Sequence, residues 1–287
     1  MRLTVTSAVL FAPILIPPEA IKLRALACVL AIDVFFRTVD YSRQLRLGFI
    51  EDGRFPEHVK QLLPFPVLLA RYEKHSSTEK ARSPVELLWI CVGFSVFLSL
   101  FLSLDLIADI EVVRSSFLID HTIKFVVVAV AVESLSQALC GLERLAGYDT
   151  TPIVDRAYSS RTVGEFWYRY NTRVHAWLEH NVFRTAGGSR RPATALLTTF
   201  FVSAILHEIG FAIATSRVDG YQFLFFILQA PAVILSRRCN RAAAGNPFVS
   251  AAVRCSTILW MWATSMFFFH DVNRVFPSFY ATTPWLP

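Results

Sequence analysis

Stretches of apolar residues, most of them near the length of a bilayer crossing, recur along the chain of 287 residues. They lie near 3 to 16, 20 to 36, 85 to 104, 117 to 140, 193 to 214, 221 to 236 and 251 to 270. A spanning helix needs about 20 mostly apolar residues, so the runs predict an all-α polytopic integral membrane protein. The expectation is about seven transmembrane helices plus one amphipathic interfacial helix. Composition agrees, because 17% of residues are charged and 54% hydrophobic, whereas a soluble domain carries about a quarter charged. Abundant Phe and Leu exclude a disordered or collagen-like chain. The five cysteines lie far apart with no C-x-x-C pair and no His at zinc spacing, so they read as packing residues and no metal is expected.

The basic residues are sorted by loop. Segment 37 to 84 holds nine Lys/Arg, 141 to 192 holds eight and 237 to 250 holds three, while 105 to 116, 215 to 220 and 271 to 287 hold one each. Cytosolic loops retain positive charge, so the alternation predicts a cytosolic N-terminus, with 37 to 84 and 141 to 192 as cytosolic segments. Lys22 and Arg24 are exceptions. The net charge of +6 follows from this topology and does not indicate nucleic acid. Arg2 is the only basic flank of the first run and Ala12-Pro13 interrupts it, so that run reads as a retained span rather than a cleaved signal. No repeat or Gly/Ser linker divides the chain, which is expected to form one domain over 1 to 287.

Between the fourth and fifth runs, Thr162 and Glu165 form the T-x-x-E box that opens a helix. Val163, Phe166, Trp167, Tyr170, Val174, Trp177 and Leu178 recur at helical spacing, with Arg161, Arg169, Arg173 and Glu179 on other faces. An amphipathic helix at the membrane surface accounts for most of this pattern. Asn171 and His175, four residues apart and beside Trp167, do not suit a pure anchor and are candidate site residues.

The fifth run carries FFVSAILHEIG at 200 to 210. His207 and Glu208 lie inside it, roughly 20 Å from its start, where a charged group costs about 3 kcal/mol. Such groups face a cavity or a partner. A neutral His bonded to a neighbouring helix is one reading. The other is that His207 is a general base, since imidazole takes and returns a proton near neutral pH. Ser203 lies one turn earlier on its face, and Glu208 points to another helix or to a substrate group. Asp33 and Glu133 either line the same cavity or pair structurally, Lys124 and Arg254 are expected to snorkel, and Gln229-Ala230-Pro231 in the sixth run would turn an amide toward a cavity.

Three segments together resemble the membrane-bound O-acyltransferase superfamily, and its wax-synthase-like branch in particular. FVSAILHE at 201 to 208 is similar to the stretch around the active-site His of sterol and diacylglycerol O-acyltransferases and plant-type wax synthases. FWYRYNTRVHAWLEHNVF at 166 to 183 resembles their F-[WY]-x-x-W-[NH] motif followed by N-x-x-V-H-x-W, with Tyr170 where the family usually has Trp. LQAP at 228 to 231 resembles the Q-x-P of the next helix. The matches fall in family order across 161 to 236, the signature-bearing core of one acyltransferase-like domain.

The resemblance implies His207 as catalytic base, Asn171 as the second signature polar residue and Gln229 as a chamber-lining amide. It also implies acyl transfer from acyl-CoA or acetyl-CoA, used as co-substrate with no bound cofactor, to the hydroxyl of a lipophilic alcohol. The acceptor could be a long-chain alcohol, as in wax ester synthesis, or a terpenoid or polyketide alcohol. Arg169, Arg173 and Arg184 are candidate contacts to the coenzyme A phosphates, or else topology and lipid-headgroup residues. Ser203, Glu208, His175 and Trp167 complete the substrate-binding candidates. Membrane lipids are the other expected partner, and a eukaryotic chain would reside in the endoplasmic reticulum. Two rivals stand beside this reading: a transporter or channel with a His207/Glu208 proton relay, and an inactive member of the fold.

Overall fold

A computed structural model describes residues 8–48, 84–148, 150–243 and 245–281. The start of the first run and residues 49–83 of the expected cytosolic segment lie outside the described residues. Among the described residues the structure is helical, with no strand. The elements are α1 (Ile21–Arg46), α2 (Pro84–Ala108), α3 (Glu111–Arg114), α4 (Phe117–Leu145), α5 (Val163–Arg169), α6 (Thr172–Leu178), α7 (Pro192–Thr215), α8 (Tyr221–Ala243) and α9 (Pro247–Val275).

Among the described residues, three helices, α2, α4 and α7, are long and apolar enough to cross a membrane. The apolar part of α8 is shorter, Tyr221–Ser236. The second run is part of a helix that extends ten residues past the end of its apolar stretch, because α1 continues through Arg37, Asp40 and Arg43 to Arg46. Of the first run, residues 8–11 are helical and lead into a 3-10 turn, Ala12–Leu15, with Pro13 at its first turn.

The helices form two groups. In one, α2 packs along α4; in the other, α7 is flanked by α1 and α8, and α9 packs on α8. Val163, Phe200, Phe225, Phe226, Val233 and Met261 fill the core where α5, α7, α8 and α9 converge. Local chemistry fixes the ends. Pro192 and Pro247 occupy first-turn positions, where a missing N–H costs nothing, and the Asn246 side chain accepts from the backbone of Phe248 and Val249.

Most buried charges belong to contacts between elements or within one helix. Arg37 Nε donates to Asp33 at 3.1 Å. Lys124, expected at a helix end with its ammonium in water, is instead fully buried, donating to the Leu104 carbonyl at 3.0 Å with Asp120 at 3.8 Å. The reason is the chain beyond α9: Asp120 accepts from Ala281 N at 2.7 Å, and His121 meets the Tyr280 hydroxyl at 2.6 Å and the Trp262 carbonyl at 2.7 Å. This cluster fastens residues 276–281 onto α4. Arg254 is exposed, as a snorkelling residue would be.

The α2–α4 contact depends on Gly93, where a Cβ would lie 2.9 Å from both the Ala138 Cβ and the Ser134 carbonyl oxygen. Because one neighbour is backbone, it cannot rotate away. Gly93→Val is expected to cost about 1–3 kcal/mol by overpacking, measured as a lowered melting temperature of the protein in detergent relative to the wild type.

Candidate active site

His207 stands in the middle of α7, where the run Leu196–Ala214 is apolar apart from Thr198, Thr199, Ser203, His207 and Glu208. Its Nδ1 lies 2.9 Å from the Ser203 carbonyl oxygen one turn earlier. A carbonyl can only accept, so Nδ1 carries the hydrogen and Nε2 keeps the lone pair. The Phe226 ring, from α8, covers the imidazole at 3.9 Å between centroids, and Phe268 of α9 lies at 6.4 Å.

Two cavities meet at this ring. The larger, about 1070 Å³, is walled by α4, α5, α6, α7, α8 and α9 and includes Trp167, Asn171, His175, Ser203 and His207. The smaller, about 310 Å³, lies between α1 and α7. Asn171, Ser203 and His207 line both.

Asn171 reaches that junction through a break in the chain. The capping box forms as expected, with Thr162 Oγ1 accepting from Glu165 N at 3.1 Å, but the single helix expected from 162 onward stops at Arg169. Tyr170 is extended and Asn171 is left-handed at φ 57°, capping α6 by accepting from Val174 N at 3.3 Å. Asn tolerates that conformation better than most residues, through local hydrogen bonds. Asn171 and His175 therefore do not share a face of one helix; they share a cavity wall, with Asn171 at the turn and His175 in the helix after it. Since Oδ1 serves the cap, the amide Nδ2 remains as a donor. Burial lowers the His175 pKa, partly opposed by the Glu179 charge.

Other expected site residues lie behind the walls. Gln229 is fully buried, accepts from Trp260 Nε1 at 3.0 Å and Trp167 Nε1 at 3.4 Å, and donates to the Phe225 carbonyl and Thr264 Oγ1, each at 3.1 Å. It does not line either cavity; it holds Trp167, which does. Glu208 also turns away, accepting from Gly220 N at 2.9 Å and Phe223 N at 3.1 Å at the start of α8. The two carboxylate oxygens thus satisfy amides that a helix start leaves without intrahelical partners. Asp33 pairs with Arg37, whereas Glu133 lines the larger cavity and accepts from Arg156 N at 3.0 Å.

The three arginines expected at coenzyme A phosphates have protein partners. Arg173 is buried and donates to both Glu143 oxygens, at 2.9 and 2.6 Å, and to the Thr151 carbonyl. Its guanidinium ties α6 to α4, and removing one member would strand the other's charge out of water. Arg169 pairs with Glu165 at 3.0 Å and exposed Arg184 with Glu179 at 3.0 Å; these two remain nearer to solvent.

Phe226, Phe268 and the α1 wall are parts of the site that motif reading passes over. Phe226 precedes Gln229 by three residues, but among 25 Phe in a membrane chain it carries no signal of its own. Among the described residues, Asp219, His270 and Asp271 bring ligand atoms within 4.8 Å of one another. Arg274 Nη1 sits 3.1 Å from Asp219, a cation already beside the carboxylate, and the group lines neither cavity.

The family model of MBOAT, the membrane-bound O-acyltransferase family, matches residues 71–270. Among curated proteins, the chain is 32% identical over 80 residues to diacylglycerol O-acyltransferase 1-1 of Oryza sativa subsp. japonica, covering 28% of this chain and 15% of that protein. It is 26% identical over 123 residues to diacylglycerol O-acyltransferase 1C of Glycine max, covering 41% and 23%. It is 30% identical over 77 residues to probable sterol O-acyltransferase 2 of Schizosaccharomyces pombe, covering 27% and 16%. The matched stretch thus spans less than a quarter of the length of each of these relatives.

The turn at Asn171 yields a test that separates backbone from side chain. Asn171→Ala loses the cap and keeps a Cβ in left-handed backbone without the local hydrogen bonding that lets Asn adopt it, at an expected cost of about 2 kcal/mol. Asn171→Gly relieves the backbone and is expected to stay within a few tenths of a kcal/mol of the wild type. Chemical denaturation of the two variants in detergent gives the comparison.

Proposed function

We propose that this chain, which belongs to the membrane-bound O-acyltransferase family, moves an acyl group from acyl-CoA to the hydroxyl of a lipophilic alcohol. The observation that carries the reading is His207 at the junction of two cavities, with Nδ1 tied to the Ser203 carbonyl and Asn171 on the same walls. In the proposed step the alcohol oxygen attacks the thioester carbonyl carbon as His207 Nε2 takes the hydroxyl proton. Asn171 Nδ2 donates to the carbonyl oxygen as charge gathers there. The C–S bond then breaks, the proton on Nε2 passes to the departing sulfur, and an ester and free coenzyme A remain.

The apolar walls favour this chemistry by keeping water, a competing nucleophile, away from the thioester. Trp167, His175 and Ser203 line the space around the reacting groups. Arg169 and Arg184, at the basic end of the site, are proposed phosphate contacts; Arg173, committed to Glu143, acts by holding α6 in place. We read α1, α8 and α9 as crossing the membrane beside α2, α4 and α7, with the basic segments cytosolic and, in a eukaryotic cell, the endoplasmic reticulum as the site. The similarity to diacylglycerol and sterol O-acyltransferases supports a lipid acceptor, with long-chain alcohols and hydroxylated terpenoids as the two classes to offer.

The test is a product assay on the purified full chain, with fatty alcohols and hydroxylated terpenoids each paired with acetyl-, decanoyl- and palmitoyl-CoA, reading ester formed and thiol released. His207→Ala is expected to lower turnover by about 10²–10⁴-fold and Asn171→Gly by about 10²–10³-fold. Full turnover in His207→Ala would sink the mechanism. Binding of thioesters with no consumption by the wild type would favour an inactive member of the fold.

A further inference from the structure

The charge sorting along the chain has two exceptions, Lys22 and Arg24, and the second is buried. Arg24 lies in the first turn of α1 with 5% of its surface exposed. It stands at the end of the bundle away from segment 141 to 192, because α7 starts after that segment and ends beside Arg24. Among the described residues its guanidinium has a single partner: Nη1 donates to Ser216 Oγ at 2.6 Å. Nε is sealed from solvent with no hydrogen-bond partner. Of the acids nearest in sequence to this contact, Glu19 is exposed and Asp219 is held by Arg274 at 3.1 Å.

Among the described residues four Lys or Arg side chains are buried, and each of the other three has a carboxylate. Arg37 has Asp33, Lys124 has Asp120 and Arg173 has Glu143. Taking a cation out of water costs several kcal/mol unless an opposite charge meets it, and the Ser216 hydroxyl supplies none. The C-terminal end of α7 offers about half a unit of negative charge, but among the described residues none of its carbonyls accepts from Arg24. The protein thus leaves one buried cation to be neutralised from outside.

The surroundings indicate which anion fits. Ser216 is exposed, and its hydroxyl, having accepted from Arg24, keeps its own hydrogen to donate. Guanidinium beside hydroxyl is a donor set suited to phosphate oxygens. From Ser216 an apolar stripe runs back along α7 through Ala212, Ile209, Ile205 and Phe201, at spacings of three and four. Ile205 and Phe201 are exposed, and no member of the stripe lines either cavity. From Phe201 to Ala212 the helix rises about 16 Å, close to half of a hydrocarbon core about 30 Å thick, which is the depth of one leaflet. We propose that Arg24 and Ser216 seat the phosphate of a glycerophospholipid, in the leaflet away from the basic segments, with its hydrocarbon along that stripe. The phosphate gives Arg24 its counter-charge and completes the joint between α1 and the end of α7. The site lies outside both cavities and stands independently of the transfer reading.

The test gives the purified full chain, stripped of lipid in detergent, one of three probes: phosphatidylglycerol, a galactolipid with the same tails and no phosphate, or inorganic phosphate. Native mass spectrometry reads the bound lipid, and the melting temperature reads stabilisation. The wild type is expected to hold one phosphatidylglycerol about tenfold or more tighter than the galactolipid, and to melt higher with it, while inorganic phosphate leaves the melting temperature unmoved. Arg24→Gln is expected to weaken phosphatidylglycerol about tenfold or more and Ser216→Ala about threefold. Arg114→Gln, which removes an exposed cation, is expected to change neither. Without lipid, Arg24→Gln is expected to melt no lower than the wild type, because it removes a buried charge that has no counter-charge. A melting temperature that Arg24→Gln lowers equally with and without lipid would show that protein alone completes the joint and would overturn the proposal. So would equal retention of the two lipids, or a loss in Arg114→Gln as large as in Arg24→Gln. Stabilisation by inorganic phosphate equal to that by phosphatidylglycerol would overturn the lipid as occupant. The wild-type comparison of the three probes and Ser216→Ala decide the matter even where Arg24→Gln does not fold.

Discussion

The pairing of polar groups removed from water governs this bundle. An unpaired amide or hydroxyl in apolar surroundings costs several kcal/mol and an unpaired charge more, so the polar residues inside the helices act as joints. Glu143 and Arg173 join α4 to α6, Glu208 joins α7 to the start of α8, and Gln229 joins α8 to α9 and to Trp167. Asp120, His121 and Tyr280 fasten the chain after α9 back onto α4. His207 differs from these. Its Nδ1 is used within its own helix, so its other nitrogen is not required to hold the fold together, and it lines open space.

That contrast explains which parts of the site were legible in the sequence. The class was legible because 20-residue apolar runs have few other uses, and His207 stood out because an ionisable group deep in such a run is costly. The same argument could not tell His207 from Glu208, since both break the run and only three-dimensional placement shows that one faces a cavity and the other caps α8. Lys124 was misread for a related reason. Its position near a run end suggested snorkelling, but residues 276–281 return to cover it, and a contact made 150 residues later leaves no local trace. Gln229 was expected to line the chamber from its place beside Pro231; its four hydrogen bonds take it into the wall instead.

The expected single helix from 162 onward fails for a more instructive reason. Its apolar periodicity continues without interruption through Tyr170 and Val174, and periodicity is blind to a one-residue change of hand. What breaks the helix is a demand on both sides: Arg173 is drawn to Glu143, Thr172 N bonds to the Ile153 carbonyl and Thr172 Oγ1 to that of Pro152. Asn at 171 makes the turn inexpensive, because its side chain supplies the cap that the new helix needs. The residue best suited to the turn is also the one whose remaining amide hydrogens lie at the meeting of the cavities, so one side chain serves backbone geometry with its oxygen and is free to serve chemistry with its nitrogen.

Under the proposed transfer, placing His207 where two cavities meet has a consequence for how the bundle must be built. A reaction between two apolar molecules and a polar carrier needs separate routes to one point, yet each opening between helices gives up packing that stabilises the fold. Here the openings are placed where packing is already thin. The larger lies between the two helix groups, bordered by α5 and α6 rather than by a continuous helix–helix seam, and the smaller lies along an α1–α7 contact walled in part by Ala, Cys and Gly. Where those small residues end, Arg24 and Ser216 take up the contact with a hydrogen bond. α1 is thus held to α7 by polar contact at one end and to α6 toward the other, where Trp177 stacks on Phe36 with ring centroids 4.1 Å apart. Between those two fastenings the helices can stand apart without separating, which is the condition for a slot that opens onto His207 and does not weaken the bundle around it.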